Sequence, residues 1–247
     1  MKAPKQRLDT LLVERGLAES RTQAQALILT GQVVAGDQRA DKPGSLVPSD
    51  LPIRIKEKLR YVSRGGLKLE RALREFGIAV EGTVCADIGA STGGFTDCLL
   101  QAGARKVYAI DVGRGQLHPK LLSDPRVLQL ERVNARYLSA AELPELVDLA
   151  TIDVSFISLT QVLPAVLPRI RPGGTLIALV KPQFEVGRSQ VAKGGVVKDP
   201  EAREGAIQKI ATFLSERGLE VIGRVDSPIA GPAGNVEALI AATKPRD

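Results

Sequence analysis

Five polar residues end successive apolar runs. Asp87 follows "TVCA", Asp111 follows "KVYAI", Asn134 follows "RVLQLERV", Asp153 follows "LVDLATI" and Lys181 follows "GTLIALV". Polar side chains at the same end of repeated apolar segments would share one edge of a sheet, which is where open α/β folds bind ligands. Carboxylates and an amine at such an edge can hydrogen-bond hydroxyls, hold a cationic group and exchange a proton. Two more charges stand out. Lys68 precedes the first run in "SRGGLKLERAL", and Glu237 interrupts the apolar stretch "NVEALIAAT". A charge inside an apolar strand is rarely buried without a partner, and a lysine offers one. Lys68, Asp153, Lys181 and Glu237 are therefore the candidate catalytic set, two amines with two carboxylates.

The segment "DIGASTGGFTDCLL", Asp87–Leu100, names the cofactor class. A nicotinamide fingerprint has glycines spaced G-x-G-x-x-G. Here the glycines are Gly89, Gly93 and Gly94, and the position of the second falls on a Ser-Thr loop. An acidic residue ahead of the turn repels a pyrophosphate and suits a cationic ligand end, such as the ammonium of a methionine moiety. Asp111, 24 residues after Asp87, is placed to accept hydrogen bonds from ribose hydroxyls. Together these favour S-adenosylmethionine over NAD. The expected cofactor contacts are Asp87, Gly89, Ser91, Thr92, Gly93, Gly94, Phe95, Asp111, Val112, Asn134 and Asp153. Ser91 and Thr92 fall at the methionine end, and Phe184 would wall the site.

The elements that must position these residues follow from hydrophobic patterning. Runs rich in Val, Ile and Leu, spaced by helical stretches, imply a parallel sheet covered on both faces. Helical or partly helical spacers are "TDCLLQAG", "AELPELV" and "LTQVLPAVLPRI", and "REGAIQKIATFLSERG" is a clear helix. "LEVIGRVDS" and "NVEALIAAT" then form an antiparallel pair at the end of the sheet. The fold class is α/β, a doubly wound Rossmann-like sheet with an antiparallel final hairpin, plus a small N-terminal α+β module. In that module Leu8, Leu11 and Leu12 share a helical face that Gly16 ends. A second helix follows Ser20 with Ala24, Leu27 and Ile28 on one face, closed by Gly31. "QVVAGDQRA" and "LPIRIK" read as strands around the turn "DKPGSLVPSD". The expected division is 1–58 for the module, 59–67 for a basic linker with a Gly65-Gly66 hinge, and 68–247 for the large domain.

Charge separates the two parts. The net charge is +6, and residues 1–68 hold 13 of the 34 Lys and Arg but only 7 of the 28 Asp and Glu, so the whole excess lies there. A localised basic excess is an electrostatic footprint for nucleic acid. Candidate RNA contacts are Lys5, Arg7, Arg15, Arg21, Lys58, Arg60, Tyr61 and Arg64, with Tyr61 able to stack on a base. The composition, 44% hydrophobic and 25% charged, is that of a globular protein. No run approaches the roughly 18 apolar residues of a membrane span, and no signal-peptide core follows the first Met, so a soluble cytoplasmic protein is expected. Two cysteines without a CxxC and one histidine exclude the usual metal sites. Cys85 and Cys98 are expected as buried thiols and His118 as a turn residue. Gly194-Gly195 fits either a mobile loop or a tight turn.

The front segment "RLDTLLVERGLAESRTQAQALILTGQVVAGDQRADKPG" resembles the RNA-binding module of the small-subunit ribosomal protein S-four. It departs from that family at Thr22 and Gln23, where a lysine is common. The Lys68, Asp153, Lys181, Glu237 set resembles the tetrad of FtsJ-type ribose 2′-O-methyltransferases. The strings "YVSRGGLKL", "DVGRGQLHPKL", "TIDVSFISL", "LVKPQFEVG", "KGGVVKD" and "GPAGNVEAL" are similar to the TlyA family, which joins the two modules. The resemblance implies transfer of a methyl group from S-adenosylmethionine to a ribose 2′-hydroxyl, a cytidine of ribosomal RNA. Lys181 would address the hydroxyl, as general base or as electrostatic stabiliser. Asp153 would hold Lys181, and Glu237 would orient Lys68 or the ribose. Members are also called haemolysins. A short tail, "KPRD", leans toward the large subunit alone. Two rival readings are an RNA-binding assembly factor that holds the cofactor without turnover and an NAD-linked oxidoreductase. The partner is ribosomal RNA or a ribosomal subunit, with no membrane and no metal; the oligomeric state stays open, with a monomer favoured.

Overall fold

The computed structural model describes residues 3–29, 31–55, 60–231 and 233–246. The chain divides into two compact units, Met1–Leu59 and Arg60–Asp247.

The first unit runs β1 (Lys5–Arg7), α1 (Leu8–Glu14), α2 (Arg21–Leu29), β2 (Val33–Ala35), β3 (Gln38–Arg39), β4 (Leu46–Pro48) and β5 (Ile53–Ile55). Leu8, Leu11 and Leu12 are buried together as their spacing predicts, and Leu8 and Leu12 pack with Ala24, Ile28 and Val33. Gly16 and Gly31 end the helices with φ of 68° and 69°, a conformation glycine adopts without a Cβ penalty. Ser20 Oγ accepts the Gln23 N–H at 3.2 Å, an N-terminal cap for α2. One turn is more structured than its Pro and Gly content suggests: "DKPGSLVPSD" contains β4, which pairs antiparallel with β1.

The second unit runs α3 (Gly65–Glu75), β6 (Val84–Ile88), α4 (Gly94–Gln101), β7 (Lys106–Ile110), α5 (Pro119–Leu122), β8 (Val127–Leu130), β9 (Val147–Ile152), α6 (Leu159–Val166), β10 (Ile170–Val180), α7 (Pro182–Glu185), α8 (Pro200–Ser215), β11 (Glu220–Asp226) and β12 (Ala238–Thr243). Among the described residues its seven strands lie in the order β11-β12-β10-β9-β6-β7-β8. β6 to β10 pair in parallel, and β12 and β11 are antiparallel, which is the doubly wound sheet with an antiparallel end. Alternate strand residues feed two apolar layers. Ala86, Ile88, Ile110 and Ile152 pack toward α6 and α8, while Cys85, Val107 and Leu149 pack toward α3 and α4. The chain leaves β6 toward β7 and β8, then returns to the other side of β6 with β9. That reversal opens a crevice at the carboxyl ends of β6 and β9.

Three local expectations need correction. "AELPELV" forms turns rather than a helix. Its Pro144 has no amide hydrogen to donate, and it disfavours helical backbone in the residue before it. Glu237 lies one residue before β12 rather than inside it. The segment expected as a hinged linker is built into the second unit from Arg60 onward. Tyr61 is buried, the Val62 N–H donates to Asp97 at 2.9 Å, and Gly65 and Gly66 open α3. Gly66 is required there because a Cβ would overlap the Tyr61 ring.

Candidate active site

The turn after β6 is shaped by close approach. Gly89 has φ 85°, and a Cβ on it would overlap the main-chain oxygen of Asp153 at the end of β9. Gly93 has φ 95° and lies against Leu121. Between them Ser91 holds φ 48°, an uncommon backbone for a residue with a side chain. Asp111 fixes this turn. Its carboxylate accepts the Ser91 N–H at 2.8 Å and the Gly113 N–H at 2.7 Å.

Two cavities open around these strand ends. One, of about 510 Å³, is bordered by Gly89, Ser91, Asp111, Val112, Asn134 and Asp153. The other, of about 290 Å³, is bordered by Lys68, Thr92, Gly94, Phe95, Asp153 and Lys181. Gly89, Ser91, Asp153 and Ser155 border both. The arrangement offers an elongated groove with a carboxylate and a glycine turn at one part and amines at the other.

The four candidate catalytic residues come together as two ion pairs. Lys68 Nζ donates to Glu237 Oε2 at 2.5 Å, with the side chains 10% and 1% exposed. Lys181 Nζ lies 2.5 Å from Asp153 Oδ1. That second contact is one of charge, since Asp153 Oδ1 receives no directed hydrogen bond among the described residues; the directed bond of Lys181 goes to Ser155 Oγ at 2.9 Å. Glu237 Oε1 is likewise buried without a hydrogen-bond partner among the described residues. An orphaned acceptor is costly to bury, and Glu237 Oε1 is one, since Asp153 Oδ1 has the Lys181 ammonium against it.

Asp87 departs from expectation. It borders neither cavity and is wholly buried, accepting from Thr96 Oγ1 at 2.6 Å and Thr151 Oγ1 at 3.4 Å. Burial pushes its pKa up to about 7. Hydroxyls from α4 and β9 occupy the carboxylate that was expected to face an ammonium. Gly93 shapes the turn without bordering either cavity. Asn134 reaches the larger cavity while its side chain also accepts the Arg136 N–H at 3.0 Å.

Other expectations fall out in detail. Tyr61 is 4% exposed under Arg60, whose guanidinium sits 5.4 Å from the ring centre. Its ring belongs to the core and is not free to stack on a base. Lys58 lies outside the described residues. Arg7 and Arg21 both pair with buried Asp9, holding that carboxyl below its ordinary range, yet remain 44% and 57% exposed. Arg15 donates to the main-chain oxygens of Leu51 and Ser49. Lys5 is exposed, and Arg64 borders the smaller cavity. His118 caps α5 and accepts the Lys120 N–H at 3.2 Å. Burial pushes the thiols of Cys85 and Cys98 up to about 12. Gly194 and Gly195 form a tight turn, pinned by Asn235, which accepts the Val197 N–H and donates to the Gly195 oxygen.

Sequence reasoning missed Ser155 and Phe156. Ser155 stands two residues beyond Asp153, a spacing that could have drawn notice. Phe156 is 91% exposed with φ 66°, and its ring lies 5.2 Å from that of Phe184. So Phe184 backs Phe156 and does not itself line the cavities. Nothing in a lone aromatic marks it as exposed.

The sheet order and the groove at its reversal define a methyltransferase-type α/β domain. The FtsJ-like methyltransferase model matches residues 61–244, and the S4 domain model matches residues 6–51. The 16S/23S rRNA (cytidine-2′-O)-methyltransferase TlyA of Mycobacterium tuberculosis is 47% identical, covering 95% of this chain and 88% of its own. Hemolysin A of Brachyspira hyodysenteriae is 41% identical, covering 94% and 98%. A solved structure from Streptococcus thermophilus, named only as a hemolysin, is 46% identical with a TM-score of 0.76, covering 98% and 89%. The chain belongs to the TlyA family, an S4 domain followed by an FtsJ-like methyltransferase domain.

Proposed function

We propose that this protein transfers the methyl group of S-adenosylmethionine to a ribose 2′-hydroxyl of ribosomal RNA, a cytidine of the large subunit. The observation that carries the proposal is the convergence of two amine–carboxylate pairs on one groove at the carboxyl ends of β6 and β9. The name of the relative from Mycobacterium tuberculosis supports the same reaction. That name mentions both subunits, and mapping the methylated sites decides between them.

The residues present fit the cofactor. The Gly89 turn lies directly against the Asp153 main chain and borders both cavities, and Asp111 is tied to the turn amides at the border of the larger one. Asp111 would hold ribose hydroxyls, Ser91 and Thr92 with the turn amides would hold the carboxylate end, and Asp153 would lie near the sulfonium. When bound, the cofactor supplies an electrophilic methyl group. Lys181 would address the ribose hydroxyl, taking its proton or stabilising the developing oxyanion. Asp153 and Ser155 fix the position of that amine. Glu237 fixes Lys68 at the border of the smaller cavity. Holding the hydroxyl in line for displacement can itself supply roughly 7–11 kcal/mol.

The front unit, with Arg7, Arg15, Arg21 and Lys5, would bind the RNA through phosphates. Such contacts give affinity and register rather than sequence choice. A ribosomal substrate places the protein in the cytoplasm.

The test is to incubate the full chain with ribosomal RNA or subunits and labelled cofactor and to map 2′-O-methyl sites. Lys181→Ala is expected to abolish transfer while cofactor binding, read by calorimetry, survives. Undiminished methylation by Lys181→Ala would overturn its role. Cofactor binding without any transfer by the unaltered protein would favour an assembly factor instead.

A further inference from the structure

The buried carboxylates among the described residues are Asp9, Asp87, Asp97, Glu185 and Glu237. Glu185 joins the two loops that carry Asp153 and Lys181, and the mechanism above leaves it without a task. We infer that Glu185 is a positioning residue for the Lys181–Asp153 pair, an inference that rests on the proposed function for its kinetic part.

Glu185 ends α7, four residues after Lys181, and its side chain is 1% exposed. Oε1 accepts the main-chain N–H of Leu159 at 2.7 Å, and Oε2 accepts the Ser158 hydroxyl at 2.5 Å. Lys209 on α8 reaches Oε2 at 3.2 Å and the Glu185 main-chain oxygen at 2.9 Å. Ser158 and Leu159 begin α6, so the carboxylate satisfies an amide of that helix start and sits where the helix dipole favours negative charge. The loop from Asp153 to Ser158 is thereby tied to the Lys181 segment at both ends. At its start Lys181 contacts Asp153 and donates to Ser155. At its end Glu185 holds Ser158 and Leu159. Between the ties stands Phe156 at φ 66°, a backbone state that persists only where surrounding structure enforces it. Removing the Glu185 tie releases the far end of the loop, and Asp153 and Ser155 lose their register on the Lys181 amine. The amine then still exists but is no longer held in one place.

The chain has no tryptophan, so Phe156→Trp creates a single fluorescent reporter in this loop. Full-length Glu185→Ala, Glu185→Gln and Ser158→Ala would be compared with the parent, each with and without Phe156→Trp, at a temperature well below all their melting points. Glu185→Ala is expected to lower kcat by about 10–100-fold, the scale of an ångström misplacement, with the KM for cofactor changed by less than about threefold. The anisotropy of the introduced indole should fall. Glu185→Gln retains an oxygen for the Leu159 amide and should recover most of kcat. A lowered melting temperature with kcat within about threefold of the parent would overturn the inference and leave Glu185 a helix cap. Unchanged indole anisotropy would overturn it as well. If Glu185→Ala does not fold, Ser158→Ala removes only the hydroxyl tie and carries the same two readouts, with a smaller expected fall in both. If the unaltered protein transfers no methyl group, the functional reading fails on its own, and anisotropy alone decides whether Glu185 sets the loop.

Discussion

Removing one partner of the Lys68–Glu237 pair separates what this pair does for folding from what it does for chemistry. The two side chains are 10% and 1% exposed and meet at 2.5 Å. Glu237→Leu leaves an ammonium that is 10% exposed without its counter-charge, and Lys68→Met leaves a carboxylate whose other oxygen already has no hydrogen-bond partner among the described residues. Stranding one charge of a buried pair typically costs about 3–5 kcal/mol, whereas replacing both by apolar groups is often neutral or better. At about 2–4 °C per kcal/mol for a domain of this size, each single variant should melt roughly 6–20 °C below the parent. The double variant Lys68→Met/Glu237→Leu should return most of that loss. The assay is urea and thermal unfolding of the full chain by circular dichroism, arranged as a double-mutant cycle. Methyl transfer to ribosomal RNA is measured on the same four proteins, and all three variants should be inactive, including the stable double variant. Single variants costing less than about 1 kcal/mol, with effects additive to within about 0.5 kcal/mol, would refute the buried-pair energetics. An active double variant would refute the catalytic assignment and leave the pair a packing device.

Further outcomes follow from the same geometry. Gly89→Ala should cost more than the roughly 1–3 kcal/mol of backbone strain alone, because its Cβ would overlap the Asp153 oxygen. Gly77→Ala, with φ 62° and open space around it, is the strain-only control, and equal losses in urea unfolding would refute the close approach. Gly89→Ala should also lose cofactor affinity by calorimetry, while Gly77→Ala keeps it. Asp87 gives a pH signature of definite sign. Burial raises its folded pKa from 3.8 to about 7, so the unfolded chain ionises first. Its contribution is fully present below pH 3.8 and is lost as pH rises toward 7, at about 1.4 kcal/mol per pH unit. Asp87→Asn should flatten that slope in urea midpoints measured without cofactor, and an unchanged slope would refute it.

Much of the arrangement was legible in the chain itself. The Val, Ile and Leu runs determined which segments are strands, and the polar residues that follow β7, β8, β9 and β10 marked the edge where the groove lies. Glu237 announced itself as a charge in an apolar stretch, and the basic front unit by its charge. The chain did not determine what each carboxylate meets. Asp87 and Asp153 look alike, both acids ending an apolar run, yet Thr96 and Thr151 draw one into the sheet while Lys181 holds the other in the groove. Tyr61 sits among Arg and Lys in sequence but goes into the core, because Gly66 leaves space for its ring. Phe156 and Glu185 carry no local pattern, and Ser155 has only its spacing from Asp153. Their placement depends on how β9, β10 and α6 lie side by side, and contacts between residues far apart in the chain are set by packing rather than by periodicity. Local spacing specifies elements and the side each one buries; only the assembled sheet decides which of two similar side chains faces solvent and which faces a partner.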